Sequence, residues 1–167
     1  MMSQVFVSGH KSPDTDSIAA ALSYSYLKRR LGMDAVAVRA GEINKESRFA
    51  LDYFDLEEPM LVTSVARKNP EDEKQKVILV DHNESKQTID GMDDAEVLEI
   101  IDHHRFGDFE SENPIFILVR PVGCVNTVIY GLYKANHIKP SEICPTVNTF
   151  PAALNSFVSF RANFSAG

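Results

Sequence analysis

The residues with the most evident chemistry lie in the stretch VSGHKSPDTDS, residues 7–17. This stretch places His10, Asp14 and Asp16 between a short apolar run and the start of a helical pattern. Aspartate is a favoured helix N-cap, because its carboxylate accepts hydrogen bonds from the free N–H groups of the first turn. Capping explains one aspartate but not a pair of aspartates with a histidine. The stretch alone leaves a cap and a functional site as alternatives.

Two further apolar runs end in the same residue types. Residues 77–80 lead into Asp81-His82-Asn83-Glu84, and residues 97–101 lead into Asp102-His103-His104-Arg105. In open α/β sheets, ligands bind outside the carboxyl ends of the strands. The alternative is coincidence, since loops are polar in any case. Histidine with aspartate at all three strand ends is more than turns require, so we predict one site at one edge of a sheet.

These side chains suit a pair of divalent metal ions. Carboxylates are hard oxygen ligands and neutral imidazole is a borderline nitrogen ligand, a mixture that suits Mn²⁺, Mg²⁺ or Co²⁺ and does not exclude Zn²⁺. Two such ions about 3.5–4 Å apart can clamp the oxygens of a phosphoryl displacement and lower the pKa of a water. The pair needs a bridging carboxylate, and Asp81 is our candidate. Cys124 and Cys144 form no CxxC pair, so we do not expect a sulfur site.

The elements that position these residues follow from the apolar pattern. Short apolar runs alternate with helix-like stretches, which is typical of an α/β fold with a mainly parallel sheet flanked by helices. A polar stretch at residues 67–76 is predicted to be an exposed loop, and the second helix should carry Phe49, Ala50, Tyr53 and Phe54 on one side. Strands are predicted at residues 5–7, 35–38, 77–80, 97–101 and 115–119, and helices at 17–31, 46–54 and 125–133.

The composition limits the classes of partner. The 167 residues suffice for one domain with its own core. A formal net charge of −7 argues against a nucleic-acid partner held by a basic face, but bound cations can reverse the local sign for a phosphate substrate. No apolar run reaches the ~18 residues of a membrane span, and no signal peptide is evident. With only two cysteines, we expect a cytoplasmic protein without a membrane partner.

At this point the motifs resemble a known family. The stretch HKSPDTDS (residues 10–17) and the triplet Asp102-His103-His104 resemble the DHH phosphoesterase superfamily. Within it, residues 80–84, 102–105 and 120–124 look like the manganese-dependent, family II, inorganic pyrophosphatases, and the resemblance covers residues 4–143. It implies hydrolysis of pyrophosphate to two phosphates by a metal-bridging hydroxide. It also implies two divalent metal ions, Mn²⁺ first with Co²⁺ or Mg²⁺ as alternatives, and suggests a homodimer.

The resemblance also implies roles for the site residues. His10 and Asp14 would bind one metal ion. Asp16 and His103 would bind the other, and Asp81 would bridge the two ions.

Three neighbouring residues would support the metal ligands. His104 would lie near the substrate phosphate, and Asp102 would orient an imidazole by hydrogen bonding. We expect His82 to pack beside the bridging aspartate rather than to bind metal. The N–H groups of residues 123–127, at a helix start, could meet a phosphate, but we expect an ordinary cap by Asn126 or Thr127 there.

Two other functions stay open at this stage. A DHH phosphodiesterase acting on short oligonucleotides resembles the first and third motifs but usually differs at the second. It would need aromatic or arginine side chains that contact bases, and the sequence offers few obvious ones. The third interpretation is a non-catalytic metal-binding fragment.

The end of the chain differs in composition from the rest. From Ile143 onward Arg161 is the only charged residue, and two prolines interrupt any helix. We therefore predict a DHH domain at residues 1–143, incomplete at its C-terminus, and an atypical tail at 144–167. A shifted reading frame or a truncated gene product would produce such a tail, and a divergent but genuine tail is the alternative. The family uses a further metal-binding aspartate and a second, cationic domain, yet no aspartate follows Asp108. We expect little pyrophosphatase activity from the 167-residue chain.

Overall fold

A computed structural model describes residues 4–139 of the chain. It contains a six-stranded sheet in which every described strand pair is parallel. This arrangement confirms the α/β fold class. The predicted tail and its boundary at residue 143 lie outside the described residues. The strands are β1 (Val5–Ser8), β2 (Ala35–Arg39), β3 (Met60–Leu61), β4 (Lys76–Val80), β5 (Glu96–Asp102) and β6 (Phe116–Val119), and the helices are α1 (Thr15–Arg30), α2 (Lys45–Tyr53) and α3 (Val125–Ala135).

The strand order β3-β2-β1-β4-β5-β6 reverses direction once. The chain first builds outward from β1 through β2 to β3, then returns to the other side of β1 and builds outward again. Val5 of β1 accordingly pairs with Ala35 on one side and Lys76 on the other. Such a reversal opens a crevice at the carboxyl ends of the two central strands. The crevice here lies between the ends of β1 and β4.

The two faces of the sheet are covered differently. Residues 77–80 of β4 are fully buried, as expected of a central parallel strand. Helices α1 and α3 pack on one face. The other face packs against irregular segments that include Val65, Ile89 and Phe109, with no residue of the three helices in that cluster. Among the described residues, α-helices therefore cover one face rather than both, while Met92 of a short 3-10 helix packs on the other.

The structure contains each predicted strand and helix, with ends that differ from the prediction by one or two residues. Helix α1 begins at Thr15, two residues earlier than predicted, and ends before Gly32, whose positive φ of 90° suits glycine. Strand β3 was not predicted, since it has only two residues and both are exposed. The aromatic side of α2 is an exposed surface, with Phe49 and Tyr53 about 70% exposed, while Ser47 and Leu51 are the buried residues.

The loop before β4 and the character of the helices can also be compared with the predictions. Residues 67–75 form a mostly exposed loop, as predicted, while Lys76, the last residue of the predicted loop, is the first residue of β4. No helix within residues 4–139 has the length and apolar character needed to cross a bilayer.

A largely buried ion pair ties α1 to the sheet. Glu99 of β5 accepts hydrogen bonds from the Lys28 ammonium at 2.5 Å and the Tyr24 hydroxyl at 2.6 Å. The side chains of Lys28 and Glu99 are 14% and 12% exposed. A charged hydrogen bond in such surroundings contributes more than a surface pair, because little water replaces a lost partner.

We expect Glu99→Gln to lower the free energy of unfolding by about 2 kcal/mol, because Lys28 then keeps its charge without a counter-ion. Urea unfolding followed by circular dichroism measures the change. Glu112→Gln is the matched control, since the Lys74–Glu112 pair is 3.8 Å long and Glu112 is 87% exposed. Equal losses in the two variants would contradict the assignment of Glu99 as a buried link.

Candidate metal centre

A tight turn between β1 and α1 presents the first group of site residues. The backbone N–H of His10 donates to Ser17 Oγ at 3.1 Å. A Cβ on Gly9 would lie 1.8 Å from the same oxygen, so only glycine allows this approach. Asp14 caps α1, accepting from the Ser17 N–H at 3.0 Å. The expected capping aspartate is thus Asp14, and it also lies beside the His10 ring.

Asp81 lies at the end of β4 in an unusual backbone conformation. Its φ is 63°, in the left-handed region that aspartate and asparagine tolerate better than most residues. Its backbone N–H donates to the Ile101 carbonyl at 3.0 Å, which attaches the residue to the neighbouring strand β5. The residue is 2% exposed. The backbone therefore aims a buried carboxylate into the crevice between β1 and β4.

The two carboxylate oxygens of Asp81 face different partners. Oδ2 lies 3.5 Å from His10 Nε2, which is 3.8 Å from Asp14 Oδ1. Oδ1 lies 3.1 Å from His103 Nε2, which is 3.6 Å from Asp16 Oδ2. The structure thus places His10, Asp14, Asp81 and His103 in possible metal-binding groups that share Asp81. Asp16, the fifth predicted ligand, lies beside His103 but is in neither group.

The imidazoles and carboxylates of this cluster shift one another's pKa. Burial lowers the pKa of His10, but hydrogen bonds to Asp14 and Asp81 outweigh it and raise that pKa to about 9. The hydrogen bond to Asp81 raises the pKa of His103 to about 9, against the opposing effect of burial. At Asp81, burial raises the pKa of the carboxyl group. The hydrogen bonds from His10 and His103 outweigh burial and hold that pKa below its usual range. A cation bound between these groups would displace the protons.

Asp102 and a backbone carbonyl orient the two adjacent histidines. Asp102 Oδ1 accepts the backbone N–H groups of His103 at 2.7 Å and His104 at 3.2 Å. Asp102 Oδ1 also accepts His104 Nδ1–H at 2.8 Å. His103 Nδ1–H donates to the Val122 carbonyl at 2.7 Å, so its Nε2 is the nitrogen that faces Asp81.

His104 lies at the open side of the cluster. Its Nδ1 is 3.9 Å from Asp81 Oδ1, and Asp81, His103 and His104 each offer one ligand atom within 4.8 Å of the others. Because the Asp102 carboxylate can only accept, that Nδ1 must carry the proton it donates. The side chain is 53% exposed. This leaves Nε2 as the nitrogen of His104 that can contact a ligand.

His82 is packed beneath the site rather than directed into it. It is 3% exposed, and Nδ1–H donates to the Val80 carbonyl at 2.9 Å. Burial lowers its pKa to about 4, so the ring is neutral. It belongs to neither possible metal-binding group among the described residues.

Two buried asparagines, Asn83 and Asn126, contact the site residues, and neither was predicted from the sequence to do so. The N-cap of α3 is Cys124, so the expected cap by Asn126 or Thr127 was wrong. Asp16, from α1, accepts the backbone N–H of Val125 and the side-chain N–H of Asn126 instead. Burial and the nearby Asp81 charge raise the pKa of Asp16, and these hydrogen bonds oppose that rise.

Asn83 supports the DHH triplet from below. It is 1% exposed, and its Nδ2 donates to Asp102 Oδ2 at 2.5 Å and to the Arg105 carbonyl at 3.0 Å. Its Oδ1 accepts the Gly107 N–H. The only sequence signal for this role is its position two residues after Asp81.

Comparison with known proteins extends this picture. Residues 4–150 match the model of the DHH family, N-terminal domain. Two relatives, probable manganese-dependent inorganic pyrophosphatases of Exiguobacterium sp. and Bacillus licheniformis, are each 49% identical over 138 residues. Those residues are 83% of this chain and 43% of each relative, so the chain spans less than half their length.

The chain is also similar to two solved structures. A Methanococcus jannaschii protein assigned to the family II inorganic pyrophosphatases superimposes with a TM-score of 0.67 at 37% identity, over 81% of this chain and 40% of that chain. An exopolyphosphatase-related protein of Bacteroides fragilis has a TM-score of 0.58 over 95% of this chain and 52% of that chain. At 14% identity this second likeness shows the fold alone.

We expect Asn83→Ala to cost about 2 kcal/mol of folding free energy, because it leaves Asp102 Oδ2 buried without its donor. Chemical denaturation in the presence of a chelator measures this without any contribution from bound metal. Asn113→Ala, an exposed position, is the control and should unfold at the wild-type midpoint. A wild-type midpoint for Asn83→Ala would show that the asparagine does not support Asp102.

Proposed function

Because the chain belongs to the DHH family, we propose that it is the metal-binding part of a manganese-dependent inorganic pyrophosphatase. It would bind two Mn²⁺ ions and take pyrophosphate as substrate. The observation that carries this proposal is the division of the Asp81 oxygens between His10 and His103. A carboxylate with one histidine–aspartate pair on each side suits two adjacent cations.

The donor set fits such ions. The cluster offers only carboxylate oxygens and imidazole nitrogens, which suit Mn²⁺ and allow Co²⁺ or Mg²⁺. His10 and Asp14 would hold one ion, and Asp16 and His103 the other, with Asp81 bridging. Two divalent ions would neutralise phosphate oxygens and lower the pKa of a bound water. The manganese named for the two relatives supports the same choice.

The neighbouring residues would act on the substrate. Asp102 holds the His104 ring through Nδ1, which leaves Nε2 at the open side of the cluster for a phosphate oxygen. Asn83 in turn holds Asp102. We infer that this chain of hydrogen bonds keeps His104 in one orientation as the substrate arrives.

One observation favours a second candidate function, phosphodiester cleavage of short oligonucleotides. Phe106 is 51% exposed and Arg105 has an 87% exposed side chain, directly after the DHH triplet. An aromatic ring and a guanidinium are the groups on which unpaired bases stack. The net charge of −7 opposes a long nucleic-acid ligand.

We further propose a cytoplasmic homodimer, as the resemblance implies. The strand β6 supports the dimer, since it pairs with one neighbour among residues 4–139 and its Phe116 and Ile117 are more than 40% exposed. The low cysteine content supports a reducing compartment.

We expect the wild-type chain to bind two Mn²⁺ ions, and Asp81→Asn to weaken that binding at least ~100-fold, because a bridging ligand serves both ions. Asparagine keeps the shape and tolerates the left-handed backbone. Isothermal titration with MnCl₂ measures the stoichiometry and affinity. Asp93→Asn, at an exposed aspartate, is the matched control. Unchanged affinity in Asp81→Asn would refute the bridging role.

We expect the chain to release phosphate from pyrophosphate in the presence of Mn²⁺ and not in the presence of a chelator. The rate should exceed the Asp81→Asn background even if it is low. A parallel assay with a dinucleotide, on wild type and Phe106→Ala, tests the second candidate. Dinucleotide cleavage that falls in Phe106→Ala, without pyrophosphate hydrolysis, would replace the proposed function. Mn²⁺ binding without turnover of either substrate would favour a non-catalytic fragment.

A further inference from the structure

We propose that Asn126 is a positioning residue that restricts Asp16 to a single bond with a metal ion. This inference rests on the proposed function, because it concerns the second ion, the one assigned to Asp16 and His103. Asn126 does not contact the proposed ion or substrate and would act only through Asp16.

Asn126 links helix α3 to helix α1 through a fully buried side chain. It is 1% exposed. Its Nδ2 donates to Asp16 Oδ1 at 2.7 Å and to the Asp16 backbone carbonyl at 3.2 Å. Its Oδ1 accepts the Ser23 hydroxyl at 2.9 Å. The amide therefore contacts Asp16 at two atoms while Ser23 fixes its own orientation.

Counting lone pairs shows what Asp16 can still offer to a cation. An ionised carboxylate has about four acceptor sites, two on each oxygen. Oδ1 accepts the Cys124 S–H at 2.8 Å as well as the Asn126 N–H, which uses both of its sites. Oδ2 accepts the Val125 backbone N–H at 2.9 Å, which uses one. One site remains, on the oxygen that lies 3.6 Å from His103 Nε2.

This arrangement fixes both the direction and the number of bonds available from Asp16. Rotation of the carboxylate would break the hydrogen bonds to Asn126 and Cys124, and binding through both oxygens would require displacing them. Residues that orient a metal ligand in this way typically contribute 10–100-fold to metal affinity. Without Asn126, Oδ1 regains a free site and the carboxylate loses one of its three hydrogen-bond restraints against rotation.

The test is Mn²⁺ titration of Asn126→Ala, with free Mn²⁺ followed by its electron paramagnetic resonance signal. We expect one of the two ions to bind about 10-fold more weakly and the other to keep its affinity. Ser25→Ala is the control, because Ser25 is equally buried on α1 and donates to the Leu22 carbonyl without contacting Asp16. It should lose stability without losing Mn²⁺ affinity.

Two further variants locate the effect. Ser23→Ala removes the anchor of Asn126, together with a longer, 3.3 Å bond to the Ala20 carbonyl. We therefore expect a smaller loss, roughly threefold, even if Asn126→Ala fails to fold. In a His10→Ala chain, Asn126→Ala should still weaken the remaining ion. In a His103→Ala chain it should have no further effect, because both changes act on the same ion.

The possible failures are distinguishable. A wild-type chain that binds no Mn²⁺ overturns the proposed function itself. Wild-type binding with equal affinity in Asn126→Ala, or in Ser23→Ala when the first variant does not fold, overturns the positioning role alone. A loss in Ser25→Ala as large as in Asn126→Ala, or an equal loss in both histidine backgrounds, would assign the effect to stability and overturn it as well.

Discussion

The burial of three carboxylates at one end of the sheet is the constraint on which the rest of the structure depends. Asp16, Asp81 and Asp102 are all less than 7% exposed. An uncompensated charge in such surroundings costs several kcal/mol. Each carboxylate is compensated differently. Asp102 accepts N–H groups from its own loop and from Asn83, and Asp16 accepts donors at the start of α3. The side chain of Asp81 contacts imidazoles among the described residues.

This difference separates Asp16 and Asp102, whose hydrogen-bond donors are mostly fixed parts of the fold, from Asp81, whose imidazole partners can lose their protons. Backbone N–H groups and amides cannot leave, so Asp16 and Asp102 keep most of their donors, although Asp102 also accepts the His104 imidazole. The protons on His10 and His103 can leave, because an imidazole that loses its proton becomes a metal ligand. Cations bound at Asp81 would therefore take the place of these two protons. The same pairing accounts for the raised pKa values of both histidines, about 9.

The meeting of the three motifs at one site could be predicted from the sequence, because it requires only that the three strands before them are parallel. Carboxyl ends of parallel strands lie at one edge whatever their order, so motifs after β1, β4 and β5 had to meet there. The order itself depends on crossover packing, which no local pattern records. The contact between Asn126 and Asp16 spans 110 positions in the chain. The second face of the sheet is covered by segments without helical or strand periodicity, so the sequence pattern could not predict which residues bury it.

The two sides of the cluster differ in how much of the fold they need. His10 and Asp14 belong to one turn, which local hydrogen bonds to Ser17 hold together. Asp16 and His103 come from different elements, and each is held by the segment at 122–126 that leads into α3. The first side can thus form as soon as β1 and α1 are in place. The second side requires α3 to pack on α1, so its affinity for a cation is linked to the stability of that packing.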